Sequence, residues 1–418
     1  MNFQYKRLGA ELVYFILSGV ITLAHATMYT VLAVYYVTRV GMNPLQLVLV
    51  GTVLESTVLL FEVPTGVVAD TFSRRLSVII GMFVLGAAWL LEGSIPLFAA
   101  ILLAEVIRGI GETFLSGATD AWLADEVGEE NVGQVYLRSG QINRIVGLVG
   151  TFVSVGLASI QLNLAVITGG VLYLMLGIFL VLVMPEHGFK PAPRTEPMTW
   201  QVMGHTFREG ARVVRRSSLL LTLLGVVMIE GAASEGFDRL WEAHLLMNFT
   251  FPVLGTLKPV VWFGIINVST NLFSLLTTEV WRRRLEATSR NPTATVRVLL
   301  VLNLLSVASV IAFGLAGNFT LTVGALLVKD ALAALAGPLY GAWLIQNINP
   351  QVRATVLSMF SQSNAFGQIV GGPGVGVIGT VFSLRAAIVV AGILLSPATL
   401  LYAHVLRRSR SDVLPAEA

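Results

Sequence analysis

The sequence contains no cysteine and little charge. Cys is absent from its 418 residues, and Asp, Glu, Lys and Arg together account for 12% of them. Without Cys there are no disulfide bonds, no thiolate catalysis and no cysteine metal sites. Because soluble domains carry about 25% charged residues, the low charge also excludes a soluble enzyme and a nucleic-acid-binding protein.

Catalytic motifs are missing as well. The chain contains no P-loop, no His-Glu-x-x-His and no Gly-x-Ser-x-Gly motif. Three of the five histidines, His25, His244 and His404, lie in apolar segments, but each lies in a different segment and none has ligand spacing. We therefore expect no enzymatic activity, no cofactor, no metal centre and no ATP-driven pumping.

Long apolar segments dominate what is present. Hydrophobic residues make up 55% of the chain, and the mean hydropathy is +0.79. A membrane-spanning helix needs about 20 mostly apolar residues. Twelve blocks of about this length cover residues 11–37, 44–69, 76–92, 97–119, 140–160, 164–184, 217–246, 254–280, 296–316, 319–346, 354–380 and 384–406. They predict an all-α membrane protein with twelve transmembrane helices, the first of which is retained rather than cleaved as a signal peptide.

An internal repeat divides these helices into two sets. The tripeptide Ala-Trp-Leu at 121–123 recurs at 342–344, a shift of 221 residues. The same shift relates three further pairs: Arg108 with Lys329, Asn143 with Asn364, and Gly150 with Gly371. Transporters use homologous halves of this kind to build a central site. We therefore predict two pseudo-symmetric six-helix bundles.

The longest polar interruption separates the two predicted bundles. It predicts an N-terminal bundle at 1–185, a cytoplasmic linker at 186–216 and a C-terminal bundle at 217–418. Most of the 27 Lys and Arg residues lie at the termini, in this linker and in the other even-numbered loops. Cytoplasmic loops carry such an excess. We therefore expect an integral plasma (inner) membrane protein with both termini in the cytoplasm.

The end of the second apolar block resembles a family signature. Residues 66–75 read Gly-Val-Val-Ala-Asp-Thr-Phe-Ser-Arg-Arg, which is similar to the motif between helices 2 and 3 of the major facilitator superfamily. Ser73 departs from the family pattern, which usually has Gly there, and this predicts a differently shaped turn. Asp70 can accept charge-assisted hydrogen bonds from a base or from a neighbouring helix N-terminus, so we predict that Gly66, Asp70, Arg74 and Arg75 form a conformational latch that holds the cytoplasmic side shut in the outward-open state.

A second resemblance lies in the fourth apolar block. Residues 108–111 read Arg-Gly-Ile-Gly and are similar to the arginine motif of helix 4 in the same superfamily. The neighbouring stretches 61–66 and 114–122 resemble the branch of tetracycline- and macrolide-efflux proton antiporters. The Gly-Pro pair that such antiporters often carry in helix 5 is absent, and a Gly-Gly-Pro-Gly cluster lies at 371–374 instead.

Ionisable residues inside the spans supply the candidate sites. Such residues are costly in a bilayer, so they face a bundle interior or a cavity and pair with one another. For proton coupling the candidates are Glu105, Arg108, Glu230, Asp330 and Lys329. For the substrate cavity they are Glu55, Glu112, Glu235 and Asp238.

Each set has a structural alternative. Glu105, Arg108 and Glu112 share one helix face, so they form either a proton relay with substrate contacts or an internal ion pair. Glu235, Asp238, Arg239 and Glu242 are also spaced to share a face, and they line either the substrate path or an outer gate. Lys329 and Asp330 are adjacent, so we expect each to need a different partner.

These features predict a secondary active transporter that exports drug-like lipophilic or cationic compounds in exchange for protons by alternating access. The acidic interior disfavours anions, and no ATP site is present. The alternatives are a proton symporter that takes up a small metabolite, and a membrane receptor or scaffold that transports nothing. The expected partners are a small-molecule substrate, protons and the lipid bilayer, with no nucleic acid, and the chain is expected to act as a monomer.

Overall fold

The computed structural model describes residues 8–190, 208, 211–212, 214–253, 255, 258–348 and 353–411. Within these residues the chain is helical and contains no β-strand. Most of the predicted linker 186–216, together with both ends of the chain, lies outside the described residues.

Fourteen α-helices occur in the described part of the chain. They are α1 (Ala10–Tyr29), α2 (Leu32–Tyr35), α3 (Pro44–Thr71), α4 (Arg74–Ser94), α5 (Phe98–Leu115), α6 (Ala118–Val127), α7 (Glu129–Ile160), α8 (Leu162–Val183), α9 (Ser218–Asn248), α10 (Val261–Ser289), α11 (Pro292–Leu315), α12 (Phe319–Gln346), α13 (Arg353–Val381) and α14 (Leu384–Ser411). A π-helical turn at Tyr36–Val40 follows α2.

Twelve of these helices have 18 or more residues, and one lies in each predicted span. Ten of them, with α1 counted together with α2 and the π-helical turn, are long and apolar enough to cross a membrane. The other two are α5, which carries three ionisable residues, and α13, which is rich in glycine and polar residues. The predicted all-α membrane fold is confirmed.

Two predicted spans are interrupted. The first breaks after Tyr29, where the Thr30 hydroxyl donates to the carbonyl oxygen of Ala26 at 2.7 Å. Such a contact bends helices. The fourth ends at Leu115, and the chain then passes through Gly117 with φ +70° into the short α6. Gly accepts this left-handed backbone at little cost. The apolar pattern did not reveal either break.

The chain forms two compact units. Unit 1 comprises the described residues within Met1–Met42, Val53–Met198 and Val253–Ile265. In this unit α1 packs against α7 and α8, and α4 packs against α5 and α8. The contact between α4 and α8 is close, because a Cβ atom on Gly86 would lie 3.0 Å from the Gly170 carbonyl oxygen. Trp89 and Trp122 are among its largest fully buried side chains.

Unit 2 comprises the described residues within Asn43–Thr52, Thr199–Pro252 and Ile266–Ala418. In this unit α9 packs against α13 and α14, and α11 packs against α12 and α14. The first residues of α3 also belong to it, and the Leu45 backbone N–H donates to the Thr380 hydroxyl of α13 at 3.0 Å. Its buried core includes Leu223, Val226 and Trp343.

The repeat positions make equivalent contacts in the two units. In unit 1 the Asn143 side chain donates to the Ser18 hydroxyl of α1 at 2.6 Å. In unit 2 the Asn364 side chain donates to the Val227 carbonyl oxygen of α9 at 3.3 Å. Each asparagine therefore joins the equivalent helix, α7 or α13, to the first long helix of its unit.

Candidate functional site

The first candidate cluster is a sealed ion pair in unit 1. Arg108 and Glu105 are 1% and 0% exposed, and one guanidinium N–H of Arg108 donates to Glu105 Oε2. A second N–H donates to the Tyr29 hydroxyl at 2.8 Å, and the guanidinium lies 4.7 Å from the centre of the Trp89 ring. The spacing of three residues on α5 brings the acid and the base together, as the sequence predicted.

A further buried acid lies near this pair. Glu92, on α4, is 0% exposed, and its Oε1 accepts a hydrogen bond from the Tyr36 hydroxyl. Its main-chain carbonyl oxygen accepts from the Tyr35 hydroxyl at 2.9 Å. Glu92 is three residues from Trp89 and therefore lies on the same side of α4. Its charge and the charge of Arg108 are close enough to act on each other.

Glu55 and Glu112 come together at a separate cavity in unit 1. This cavity has a volume of about 500 Å³, and Asp120 also lines it. The ion pair of Arg108 is formed with Glu105, and Glu112 lies close enough for the charges of both residues to act on it. The same side of α5 therefore carries the sealed ion pair and, at Glu112, a carboxyl group in the wall of the cavity.

The second candidate cluster surrounds a cavity inside unit 2. The cavity has a volume of about 300 Å³, and helices α9, α11, α12 and α14 form its walls. Glu230 lies in the wall, and its Oε1 accepts a hydrogen bond from the Tyr402 hydroxyl at 3.5 Å. Most of the remaining lining is apolar or aromatic, with polar groups from Asn303, Ser306 and Tyr340.

Lys329 stands at this cavity between two acids. Its Nζ lies 3.4 Å from Asp238 Oδ1 and 3.3 Å from Asp330 Oδ1. The expectation that Lys329 and Asp330 need different partners is therefore wrong, since the flexible lysine side chain folds back onto its neighbour. The side chains of Lys329, Asp238 and Asp330 are 24%, 56% and 32% exposed.

Helix α9 distributes its charged residues over two environments. An α-helix rotates by about 100° per residue, which places Glu230, Phe237 and Asp238 on one side of α9. All three lie in the wall of the cavity. Glu235 instead is buried and accepts a hydrogen bond from Arg239 Nε at 3.0 Å. A Cβ atom on Gly51 of α3 would lie 1.7 Å from Glu235 Oε1. Glu235 and Arg239 therefore pack against α3, and the predicted common face is divided.

The residues of the predicted latch lie at the turn between α3 and α4. Arg74 makes an ion pair with Asp125 of α6 and lies 3.9 Å from Asp70. Its NH1 also donates to the Ala121 carbonyl oxygen at 2.9 Å. Arg75 donates from its side chain to the Val181 carbonyl oxygen of α8 at 2.7 Å. These bonds tie the turn to α6 and α8, while Gly66 has open space around it.

Ser73 explains how this turn forms without the expected glycine. Its backbone is extended, with φ −175°, so no left-handed conformation is required. Its hydroxyl oxygen accepts from the Leu76 backbone N–H at 2.9 Å and caps α4. The hydroxyl also lies 2.8 Å from Glu186 Oε2, and Glu186 Oε1 accepts from the Arg75 backbone N–H at 2.9 Å.

Sequence reasoning missed several residues of these clusters. Glu92 is the last residue of the third apolar block, a position that is equally typical of an acid at the membrane surface. For Tyr29 and Tyr36 the sequence leaves interfacial, packing and binding roles open, because tyrosines in all three roles share the same pattern. The missed residues are Glu92, Asp125, Glu186, Asn303, Tyr340 and Tyr402.

The amino-acid sequence matches a known family and a protein of Bacillus subtilis. A family model described as Major Facilitator Superfamily matches residues 14–284. The uncharacterized MFS-type transporter YxaM of Bacillus subtilis (strain 168) is 24% identical over 371 residues, which cover 88% of this chain and 89% of YxaM.

Solved structures share the fold at lower identity. The nucleoside transporter NupG has a TM-score of 0.73 and 14% identity, covering 96% of this chain and 99% of its own. A POT family transporter in complex with 5-aminolevulinic acid has a TM-score of 0.71 and 13% identity, covering 97% and 96%. A bacterial homolog of the human lysosomal transporter Spinster has a TM-score of 0.69 and 14% identity, covering 97% and 98%.

Proposed function

Because this chain belongs to the major facilitator superfamily, whose members are membrane transporters rather than enzymes, we propose that it exports drug-like lipophilic or cationic compounds in exchange for protons. In this proposal it is a monomer in the plasma membrane, has both termini in the cytoplasm and works by alternating access.

The observation that carries the proposal is the cavity of about 300 Å³ in unit 2. Small-molecule sites combine mostly apolar walls with a few placed polar groups, and this cavity has that composition. Phe237 and the two tyrosines offer ring faces, which attract cations. Glu230 and Asp238 supply the acids, so a lipophilic cation finds both kinds of partner in one place.

Glu230 suits the exchange of a cation for a proton. Its carboxyl group is held by the hydroxyl of Tyr402, and its surroundings are largely apolar. An apolar environment disfavours the charged form of a carboxyl group, whereas a nearby substrate cation favours it. Binding of the cation therefore promotes release of the proton, and the two compete for one site.

Lys329 adds a second exchangeable pairing. It is shared between Asp238 and Asp330 at 3.4 and 3.3 Å. A substrate cation that approaches Asp238 weakens the ion pair between Asp238 and Lys329. Lys329 can then remain paired with Asp330. This arrangement provides an acid for the substrate without leaving the lysine unpaired.

A second candidate function is uptake of a small polar metabolite by proton symport. The observation that favours it is the polar part of the same wall, Asn303 and Ser306, which suits hydroxyl or amide groups. NupG is a nucleoside transporter, and the POT family structure holds 5-aminolevulinic acid. Their likeness to this chain concerns the fold, so the uptake function rests on the cavity wall.

A transport assay separates the two functions. The purified protein is reconstituted in liposomes, and either ethidium or uridine is offered outside. Antiport predicts that a gradient acidic inside drives accumulation of ethidium, whereas symport predicts that a gradient acidic outside drives accumulation of uridine. Failure of a protonophore to abolish uphill accumulation contradicts both.

Variants connect the result to the cavity. Glu230→Gln removes the titratable group and keeps its shape, so we expect gradient-driven accumulation of ethidium to be lost. Glu286→Gln is the matched control, because Glu286 is exposed on α10 and pairs with Arg282. Wild-type accumulation by the Glu230→Gln variant contradicts the assignment of the site.

A further inference from the structure

Asn303 is a buried polar residue in the wall of the unit 2 cavity. It lies on α11, is 8% exposed and lines the cavity of about 300 Å³. Its side-chain oxygen accepts a hydrogen bond from the Thr399 hydroxyl of α14 at 2.6 Å. Because an asparagine side chain has its acceptor oxygen at one end and two N–H donors at the other, this bond leaves the donor end available.

The side-chain N–H groups of Asn303 have no hydrogen-bond partner among the residues that the structure describes. A buried donor without a partner is costly, and most buried polar side chains in proteins are hydrogen-bonded. Since Asn303 lines the cavity, a molecule inside the cavity can supply the missing acceptor. The N–H groups of Asn303 are therefore candidates for binding a ligand.

Ser306 and Tyr340 contribute two hydroxyl groups to the same wall. Ser306 lies three residues after Asn303, so both residues are on one side of α11. The Tyr340 hydroxyl of α12 is buried and has no hydrogen-bond partner within the described part of the chain. The charge of Glu230 is close enough to act on Tyr340, but the hydroxyl that bonds to Glu230 is that of Tyr402. Three polar groups of α11 and α12 therefore border the cavity.

The asparagine determines which ligand groups suit this part of the wall. A hydroxyl group can donate or accept a hydrogen bond, whereas the nitrogen of an amide side chain only donates. With its oxygen bonded to Thr399, Asn303 offers donors to the cavity, and these fit the carbonyl or ether oxygen of a ligand. The acids Glu230 and Asp238 lie on α9. Different helices would therefore bind the acceptor atom and the positive charge of one ligand.

We propose that Asn303, together with Ser306 and Tyr340, forms a hydrogen-bond-donating site that selects ligands with an acceptor atom such as a carbonyl or ether oxygen. Thr399 is the positioning residue, because it holds the side-chain oxygen of Asn303 and leaves the N–H groups for the ligand. The inference rests on the proposed function in that a ligand occupies this cavity, and it does not depend on proton exchange or on the direction of transport.

The bond between Asn303 and Thr399 also joins α11 to α14, and this structural role has a different consequence. A bond that only joins two helices contributes to stability and has no influence on which ligand binds. A bond that orients the amide changes the relative affinity for ligands with and without an acceptor atom. The affinity ratio of a matched pair of ligands therefore separates the two roles.

A matched pair of cations tests the site. The probes are phenylbutyl-trimethylammonium and its ketone analogue, in which a carbonyl group replaces the methylene group beside the ring. Their binding to the purified full chain in lipid vesicles is measured by titration calorimetry, and protein-free vesicles correct for partition into lipid. We expect the affinity of the ketone relative to the alkyl compound to be at least about fivefold higher in the wild type than in Asn303→Leu, the ratio for one neutral hydrogen bond.

A second variant and a control examine the positioning residue. Thr399→Val removes the orienting hydroxyl and leaves the N–H groups of Asn303 in place, so we expect the affinity ratio to fall by a smaller factor. Ser309→Ala is the matched control. Ser309 also lies on α11, but its hydroxyl donates to the Ala325 carbonyl oxygen of α12 at 2.7 Å, and we expect this variant to keep the wild-type ratio.

The possible outcomes distinguish this proposal from the proposed function. An affinity ratio that is the same in the wild type, Asn303→Leu and Thr399→Val overturns the proposal, and so does an equal fall in Ser309→Ala. Failure of both cations to bind the wild type contradicts this proposal and the proposed function together. If the ratio depends on Asn303 but a proton gradient drives accumulation of neither cation, the donor site is supported and only the proposed exchange is contradicted.

Discussion

Arg108 and Lys329 occupy related positions of the internal repeat and have opposite environments. Arg108 is sealed in unit 1, with Glu105 and the ring of Trp89 against it. Lys329 faces a cavity in unit 2 and is shared by Asp238 and Asp330, of which Asp238 is 56% exposed. The two related positions therefore hold a sealed ion pair in one unit and a partly exposed lysine with two acids in the other.

The two side chains fit these roles. A guanidinium is planar, permanently charged and well suited to a buried ion pair, whereas an ammonium group is a compact charge on a flexible stem. The ammonium group of a lysine can pair with two acids, as Lys329 does, whereas a buried arginine that leaves its acid exposes an unpaired charge. Unit 1 therefore contains a sealed ion pair, and unit 2 contains a partly exposed one at a cavity.

The largest expected effect tests this difference in stability. Arg108→Gln leaves Glu105 buried without its guanidinium, and breaking a buried pair costs about 3–5 kcal/mol. Lys329→Gln disturbs a partly exposed pair, for which we expect about 0–1 kcal/mol. Unfolding of both variants in the same detergent provides the measurement. Equal losses of stability would remove the distinction between the two units.

A second prediction concerns the contacts that the repeat preserves. A Cβ atom on Gly150 would lie 2.6 Å from Ala26 Cβ, and one on Gly371 would lie 2.4 Å from Ala232 Cβ. Both Gly→Ala substitutions must push helices apart, so we expect each to destabilise its unit by about 1–3 kcal/mol.

Nearby glycines provide controls for these two substitutions. Gly147 has its nearest neighbour 3.7 Å away, and Gly374 has none within 4 Å. Gly147→Ala and Gly374→Ala should be neutral or slightly stabilising, because alanine favours the helix. If all four variants melt alike, close approach of the helices is not the reason for glycine at the repeat positions.

The smallest expected effect concerns the turn between α3 and α4. Asp70 lies 3.9 Å from Arg74 in a partly exposed pair, worth about 0.2–1 kcal/mol. If these residues latch the cytoplasmic side in the outward-open state, Asp70→Asn should shift the population inward by at most about fivefold and leave folding intact.

The absence of Cys makes this measurement simple. Spin labels on Gln134→Cys and Ala287→Cys, two exposed positions, report the distance distribution with no background labelling. The same labels in an otherwise unchanged chain are the reference. Identical distributions with and without Asp70→Asn contradict the latch.

Composition and the length of the apolar blocks were enough to predict the membrane class and the helices. A bilayer requires about 20 apolar residues for each crossing. A single stretch of sequence shows by itself whether it meets this requirement. The proximity of Glu105 and Arg108 could also be predicted from the sequence, because residues three apart lie side by side on a helix.

The candidate sites needed the tertiary structure. Tyr402 reaches Glu230 from 172 residues away, and Tyr36 reaches Glu92 from 56 residues away. No periodicity encodes such distances. The side chains of Glu235 and Asp238, three residues apart, also differ in environment because one packs against α3 and the other borders a cavity. The sequence alone determined which segments are helices and which carry charge, since both depend on neighbouring residues. Tertiary packing alone decided which charges are sealed and which face a cavity, since burial depends on the helices that lie alongside.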